Sequence, residues 1–127
     1  MIYGVGTDIA KISRFAQMTP HFVARVFTDG ERNYLHNKTG EGLASSAAGL
    51  FAAKEAVAKA LGTGFHGFWP VDIEIWHDNN GAPRVRLHNG AAKIAKKITR
   101  VRNRVKVQVS ISHTADDAVA FAVLSAR

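Results

Sequence analysis

Leu50-Phe51-Ala52-Ala53-Lys54-Glu55-Ala56-Val57-Ala58-Lys59-Ala60-Leu61-Gly62 decides how the chain is read. Alanine is the strongest helix former, so this dense run predicts a helix of at least three turns, reaching back to about Leu43. Gly62 and Gly64 follow at once, where a helix is capped and stopped. Glu55 and Lys59 are four residues apart and share a face, and Ala52 and Gly62 keep that face low. Such a pair is ordinarily an exposed ion pair contributing roughly 0.3–0.5 kcal/mol. Above small residues it also leaves room for a ligand to lie against the backbone.

N-terminal to this helix, residues 2–8 alternate as a short strand. Ile2, Gly4, Gly6 and Asp8 lie on one face, and Tyr3, Val5 and Thr7 on the other. Its glycines permit close backbone approach, and Asp8 is expected at its C-terminal end. Ile12, Phe15 and Ala16 recur at helical spacing, which predicts a helix over Ile9–Met18. A second helix follows Pro20, with Phe22, Val23 and Val26 inward and His21 and Arg25 outward. Thr28-Asp29-Gly30-Glu31 fits a capping box and starts a third.

C-terminal to the alanine run, Val71–Trp76 and Arg84–Leu87 read as strands joined by the turn Asp78-Asn79-Asn80-Gly81. Asn89 or Gly90 opens a helix with Ala91, Ile94, Ala95 and Ile98 on its apolar stripe. Val105, Val107, Val109 and Ile111 alternate with polar residues in a half-buried strand, and Ala118–Leu124 closes the fold. The expected architecture is α+β, one domain over residues 1–127, with an antiparallel sheet packed against one long helix.

Composition narrows the function. The chain has 127 residues and no cysteine, which removes disulfides and thiolate metal sites. Met1–Gly6 lack a basic leader and a long apolar core, so no signal peptide is expected. No apolar run approaches the ~20 residues of a membrane span, and the expected location is cytoplasmic. The net charge of +7 points to an anionic partner. Lys93-Lys96-Lys97-Arg100 and Arg102-Arg104-Lys106 form basic rows, but no aromatic residues interleave with them, so a solvated face is expected rather than a nucleic-acid site.

Asp8 and Glu55 come from different elements. If the fold joins them, they make an oxygen-only site with few protein ligands, suited to Mg²⁺ that keeps its waters and shares substrate phosphates. Lys59 would stand near the same phosphates as a point charge. His113, at the end of a strand, could reach that centre or be satisfied by its own turn. Ser110 and Ser112 flank it, but neighbouring strand residues point to opposite faces and no nucleophile elbow is present. A serine hydrolase is therefore excluded.

Three stretches occur in order: Gly6-Thr7-Asp8 with Arg14, then Phe51-Ala52-Ala53-Lys54-Glu55-Ala56 with Lys59-Ala60-Leu61-Gly62, then Ser110-Ile111-Ser112-His113-Thr114. Together they resemble the signatures of the holo-(acyl-carrier-protein) synthases, a 4′-phosphopantetheinyl transferase family. Asn80-Gly81-Ala82-Pro83 is similar to the family's turn between the central strands. The resemblance implies transfer of 4′-phosphopantetheine from coenzyme A to a serine of an acyl carrier protein. Adenosine 3′,5′-bisphosphate would be released, and fatty acid biosynthesis served. It implies Asp8 and Glu55 as the Mg²⁺ ligands, with Lys59 as their catalytic companion. Lys59, Gly62, Pro83 and His113 would belong to the coenzyme A site, and the assembly would be a homotrimer with sites between subunits.

The attacking serine then belongs to the substrate, and its proton could go to Glu55, to a metal-bound water or to a carrier carboxylate. Acyl carrier proteins are acidic, so Arg14, His21 and Arg25 beside Met18 and Phe22 make a docking surface. One position departs from the family: Leu50 stands where arginine commonly precedes Phe-Ala-Ala-Lys-Glu, and Lys38 is a candidate replacement. A basic nucleic-acid module and a Mg²⁺-dependent nucleotide pyrophosphatase are the rival readings.

Overall fold

The architecture follows from how closely one helix can approach one strand. In this computed structural model, which describes residues 1–100 and 104–127, α3 (Gly40–Ala60) lies across the inner face of a three-stranded antiparallel sheet. The strands are β1 (Ile2–Lys11), β4 (Val105–His113) and β5 (Asp117–Ala126), in the order β1-β5-β4. A Cβ on Gly4 would come within 1.9 Å of the Ala60 carbonyl oxygen, and one on Gly6 within 1.9 Å of that of Ala56. Only glycine fits there, so helix and strand meet backbone to backbone. Ala52, Ala53, Ala56, Val57 and Ala60 bury the helix face against Ala118, Ala120, Ala122 and Leu124 of β5.

β1 runs further than the sequence pattern indicates. Ile9, Ala10 and Lys11 stay paired with Val119, Ala118 and Asp117, so Asp8 lies within the strand rather than at its end. The helix expected over Ile9–Met18 is a single 3₁₀ turn, Ile12–Phe15, followed by coil. The i, i+3 spacing of Ile12 and Phe15, both buried, suits that tighter turn, and β5 supplies a pairing partner for the residues before it.

Two short helices lead into α3. α1 (Pro20–Val26) is capped by the Thr19 hydroxyl, and α2 (Asp29–His36) by the expected capping box of Thr28 and Glu31. After α3, a 3₁₀ turn at Pro70–Asp72 precedes β2 (Ile73–His77), which among the described residues pairs with β3 (Pro83–Leu87) alone. This hairpin is a sheet of its own, a refinement of the single sheet expected. Asp78 Oδ1 accepts from the backbone N–H groups of Asn80 and Ala82, and Gly81 takes a φ of 81°. α4 (Asn89–Thr99) buries Ala91 and Ala95 and leaves Lys93, Lys96 and Lys97 exposed. Arg102 of the basic row lies outside the described residues.

Candidate functional site

Asp8 comes from the inner face of β1, two residues beyond the second glycine contact, and Glu55 from α3 next to the Ala56 contact. The close approach that glycine permits therefore also brings the two carboxylates together. Burial, and after it the charge of Asp8, push the Glu55 carboxyl above the usual range, while Lys59 and Arg14 pull it back. Lys59 does not pair with Glu55 along the helix. Its Nζ reaches across to β1, 3.0 Å from the Thr7 carbonyl oxygen and 3.3 Å from Asp8 Oδ1.

The donors here are two carboxylates, and among the described residues no three His, Cys, Asp or Glu side chains cluster as a metal-binding group. Like charges that strain each other, hard oxygen donors and an incomplete protein shell fit Mg²⁺ that completes its octahedron with water and substrate oxygens. Gly62 ends α3 with a φ of 81° and nothing within 4 Å of where a Cβ would lie, so its surroundings are open.

Arg14 joins this cluster to the expected docking surface. Its guanidinium lies 5.8 Å from the Phe51 ring centre, one turn before Glu55, and 5.9 Å from that of Phe15. Phe22 packs edge-on against Phe15 at 6.0 Å and tilted against Phe51 at 6.2 Å. Met18 and Phe22 line a shallow cavity with Arg14. His21 and Arg25 are exposed on α1, and Arg25 stacks over Trp69 at 4.9 Å. Trp69 went unread in the sequence; an exposed tryptophan in a glycine-rich loop has no periodic signal to mark it.

Two expected site residues stand apart. The charges acting on Glu55 are Asp8, Lys59 and Arg14. His113 instead lines a cleft of about 810 Å³ with Lys11, Ser13, Glu41 and Ser45, and its Nδ1 is 3.1 Å from the Thr114 carbonyl oxygen. Pro83 opens β3 on the separate sheet, opposite His77. Leu50 is buried in the core and, being apolar, offers a phosphate no contact. Lys38 sits over the Tyr34 ring at 4.8 Å, a contact that turns it to the α2 surface and not to the carboxylates.

A second charged pair escaped the sequence altogether. Lys54 Nζ lies 2.7 Å from Glu31 Oε1, and both side chains are fully buried. Lys54 also donates to the carbonyls of Pro70 and Ile73, and Glu31 accepts from the backbone N–H groups of Thr28 and Ile75. Burial pushes the Lys54 ammonium below its usual pKa, against the pull of Glu31. The capping box reveals Glu31 only as a cap; its second oxygen and the lysine are a tertiary fact.

The family model described as the 4′-phosphopantetheinyl transferase superfamily matches residues 4–121. A holo-[acyl-carrier-protein] synthase of Clostridium perfringens is 44% identical over 98% of this chain and 94% of its own length. That of Alkaliphilus metalliredigens is 43% identical over 97% and 98%. A crystal structure of the Bacillus anthracis holo-(acyl-carrier-protein) synthase in complex with CoA (3′,5′-ADP) superposes with a TM-score of 0.83 at 35% identity, covering 100% of this chain and 99% of that one.

Proposed function

The chain belongs to the 4′-phosphopantetheinyl transferase superfamily as a holo-(acyl-carrier-protein) synthase, and on that premise we propose its reaction and site in full. It transfers 4′-phosphopantetheine from coenzyme A to a serine of apo acyl carrier protein, with Mg²⁺, releasing adenosine 3′,5′-bisphosphate. The setting is the cytoplasm and the purpose fatty acid biosynthesis. The observation that carries this reading is the convergence of Asp8, Glu55 and Lys59 on one open surface that runs through Arg14 into the docking helix.

Displacement at a pyrophosphate needs charge neutralisation and alignment more than covalent help. Asp8 and Glu55 would hold Mg²⁺, which supplies Lewis-acid polarisation of the pyrophosphate oxygens when bound. Lys59, half exposed and held among the described residues by Thr7 and Asp8, is free to turn its ammonium to the phosphates. The exposed Arg14, His21 and Arg25 meet the acidic carrier and orient its serine toward the same centre. No nucleophile is required of this chain.

The homotrimer is part of the proposal. Tyr3, Val5 and Ile9 of β1 and Val119 and Phe121 of β5 stand exposed on the outer face of the sheet, an apolar surface suited to a neighbouring copy. His113, which lines a separate cleft, and Pro83, on the hairpin sheet, would complete a neighbour's coenzyme A site. Chains carrying Asp8→Ala and Pro83→Asp, mixed after dissociation, should then regain activity at roughly a quarter of their sites. Mixed trimers that stay inactive would place both halves on one chain.

The deciding assay incubates the protein with coenzyme A and apo acyl carrier protein, with and without Mg²⁺, and weighs the carrier. Gain of the phosphopantetheine mass only with Mg²⁺ is expected. Coenzyme A cleavage without carrier modification would indicate a pyrophosphatase, and neither would leave a binding module.

A further inference from the structure

We infer that the buried Lys54–Glu31 pair is a positioning device that sets the rotation of α3, and with it the distance between Glu55 and Asp8. The inference rests on reading Asp8 and Glu55 as the metal pair. Lys54 and Glu55 are consecutive residues, about 100° apart around the helix. One faces the interior and the other the open cluster, so any turn of α3 about its axis moves both.

On the side of β1, α3 is held by backbone contacts at Gly4 and Gly6. These fix how near the helix comes, and they act along one side of it only. On its other side Lys54 makes three directional contacts, to Glu31 Oε1 and to the carbonyls of Pro70 and Ile73. Glu31 is itself fixed by donors from Thr28 and Ile75. The helix is thereby tied at one residue to α2, to the 3₁₀ turn and to β2. A buried ion pair is a poor source of stability compared with apolar residues of the same volume. What it adds is direction, and the residue it directs stands next to Glu55.

The test compares the full chain with Lys54→Met/Glu31→Gln, which removes both charges and keeps the volume, and with Glu55→Gln as a control. Thermal unfolding, Mn²⁺ binding followed by its paramagnetic signal, and transfer kinetics are read together. The double variant is expected to unfold cooperatively, with Mn²⁺ bound at least tenfold more weakly, kcat reduced at least tenfold and the carrier KM within twofold of the parent. A folded double variant with parental Mn²⁺ affinity and kcat overturns the inference.

Should the double variant fail to fold, Lys54→Arg decides. A guanidinium is too large for a fully enclosed site without displacing α3, so at least a threefold loss of Mn²⁺ affinity is expected. Parental affinity in a folded Lys54→Arg chain overturns the inference. If the parent itself binds Mn²⁺ no better than Glu55→Gln, the metal reading fails, and this inference with it.

Discussion

Lys54 and Glu55 are neighbours in sequence and opposites in environment. The Lys54–Glu31 pair closes at 2.7 Å with both side chains wholly inside, whereas Lys59 meets Asp8 at 3.3 Å with side-chain exposures of 54% and 18%. In the closed pair each charge has its partners within the protein, and nothing remains to offer a ligand. In the open cluster two carboxylates strain each other, and a lysine is held by bonds that water can replace. The first arrangement uses charge to fix geometry and the second keeps charge available. Two lysine–carboxylate pairs on one helix, their lysines five positions apart, are sorted into these roles by burial.

The largest effect should follow from breaking the open cluster. Glu55→Gln or Asp8→Asn should reduce transfer about a thousandfold, the several kcal/mol that metal charge stabilisation supplies. Glu55→Gln should not lower the unfolding temperature, because it removes a like-charge repulsion, whereas Asp8→Asn also gives up the ion pair with Lys59 and should cost under about 1 kcal/mol. Normal Mg²⁺-dependent turnover in either variant would refute the metal assignment.

Next comes the closed pair. Lys54→Ala leaves Glu31 buried without its counter-charge and should cost about 3–5 kcal/mol of stability in urea unfolding. Lys59→Ala, at the exposed position, should cost under about 1 kcal/mol. Equal losses at the two lysines would erase the contrast drawn between them.

A smaller effect is expected where the open surface widens into the docking helix. Arg14 acts on Glu55, so its reversal would confound binding with chemistry. Arg25, stacked on Trp69, is the cleaner site. Arg25→Glu should raise the carrier KM about tenfold at low salt, flatten its salt dependence and leave the coenzyme A KM alone. An unchanged carrier KM would move docking to another surface.

How much of this was legible beforehand depended on whether a feature is local. The alanine run, the Thr28–Glu31 capping box, the Asp78–Gly81 turn and the alternation of β4 are local patterns, and each forms as read. From the residues alone the meeting of Asp8 with Glu55 stayed conditional on the fold, and only the resemblance of their motifs to the family's signatures paired them; the contacts of Gly4 and Gly6 with α3 are the physical reason they meet. Ile9–Lys11 misled because pairing with β5, a partner more than a hundred residues away, outweighs their local spacing. Glu31–Lys54 was invisible for the same reason: a lysine in an alanine helix reads as exposed until a carboxylate from another helix is found beside it. Trp69 and the separate hairpin sheet likewise depend on contacts that no window of sequence contains.

The smallest effect concerns the seam that carries the closed pair, where α2 meets β2. His77 stacks on Tyr34 with ring centres 4.2 Å apart and planes at 10°. Burial holds its pKa below the ordinary 6.5 and the Lys38 ammonium adds to this, against the weaker pull of Asp78 and Glu31. The fold therefore prefers the neutral ring. Above pH 6.5 the ring is neutral in both folded and unfolded chains, and its contribution is fully present. As pH falls through 6.5 the unfolded chain takes up the proton first, so stability is lost down to the folded value and is constant below it. The ring is partly exposed, which limits the loss to about a few tenths of a kcal/mol. His77→Phe keeps the stack and removes the titration, so the difference between the parent and this variant in urea unfolding should shift between pH 7.5 and pH 5.5 by about that amount. A difference that does not move with pH would show that the seam does not sense protons at His77, and that its contribution to the closed region is the stacking contact alone.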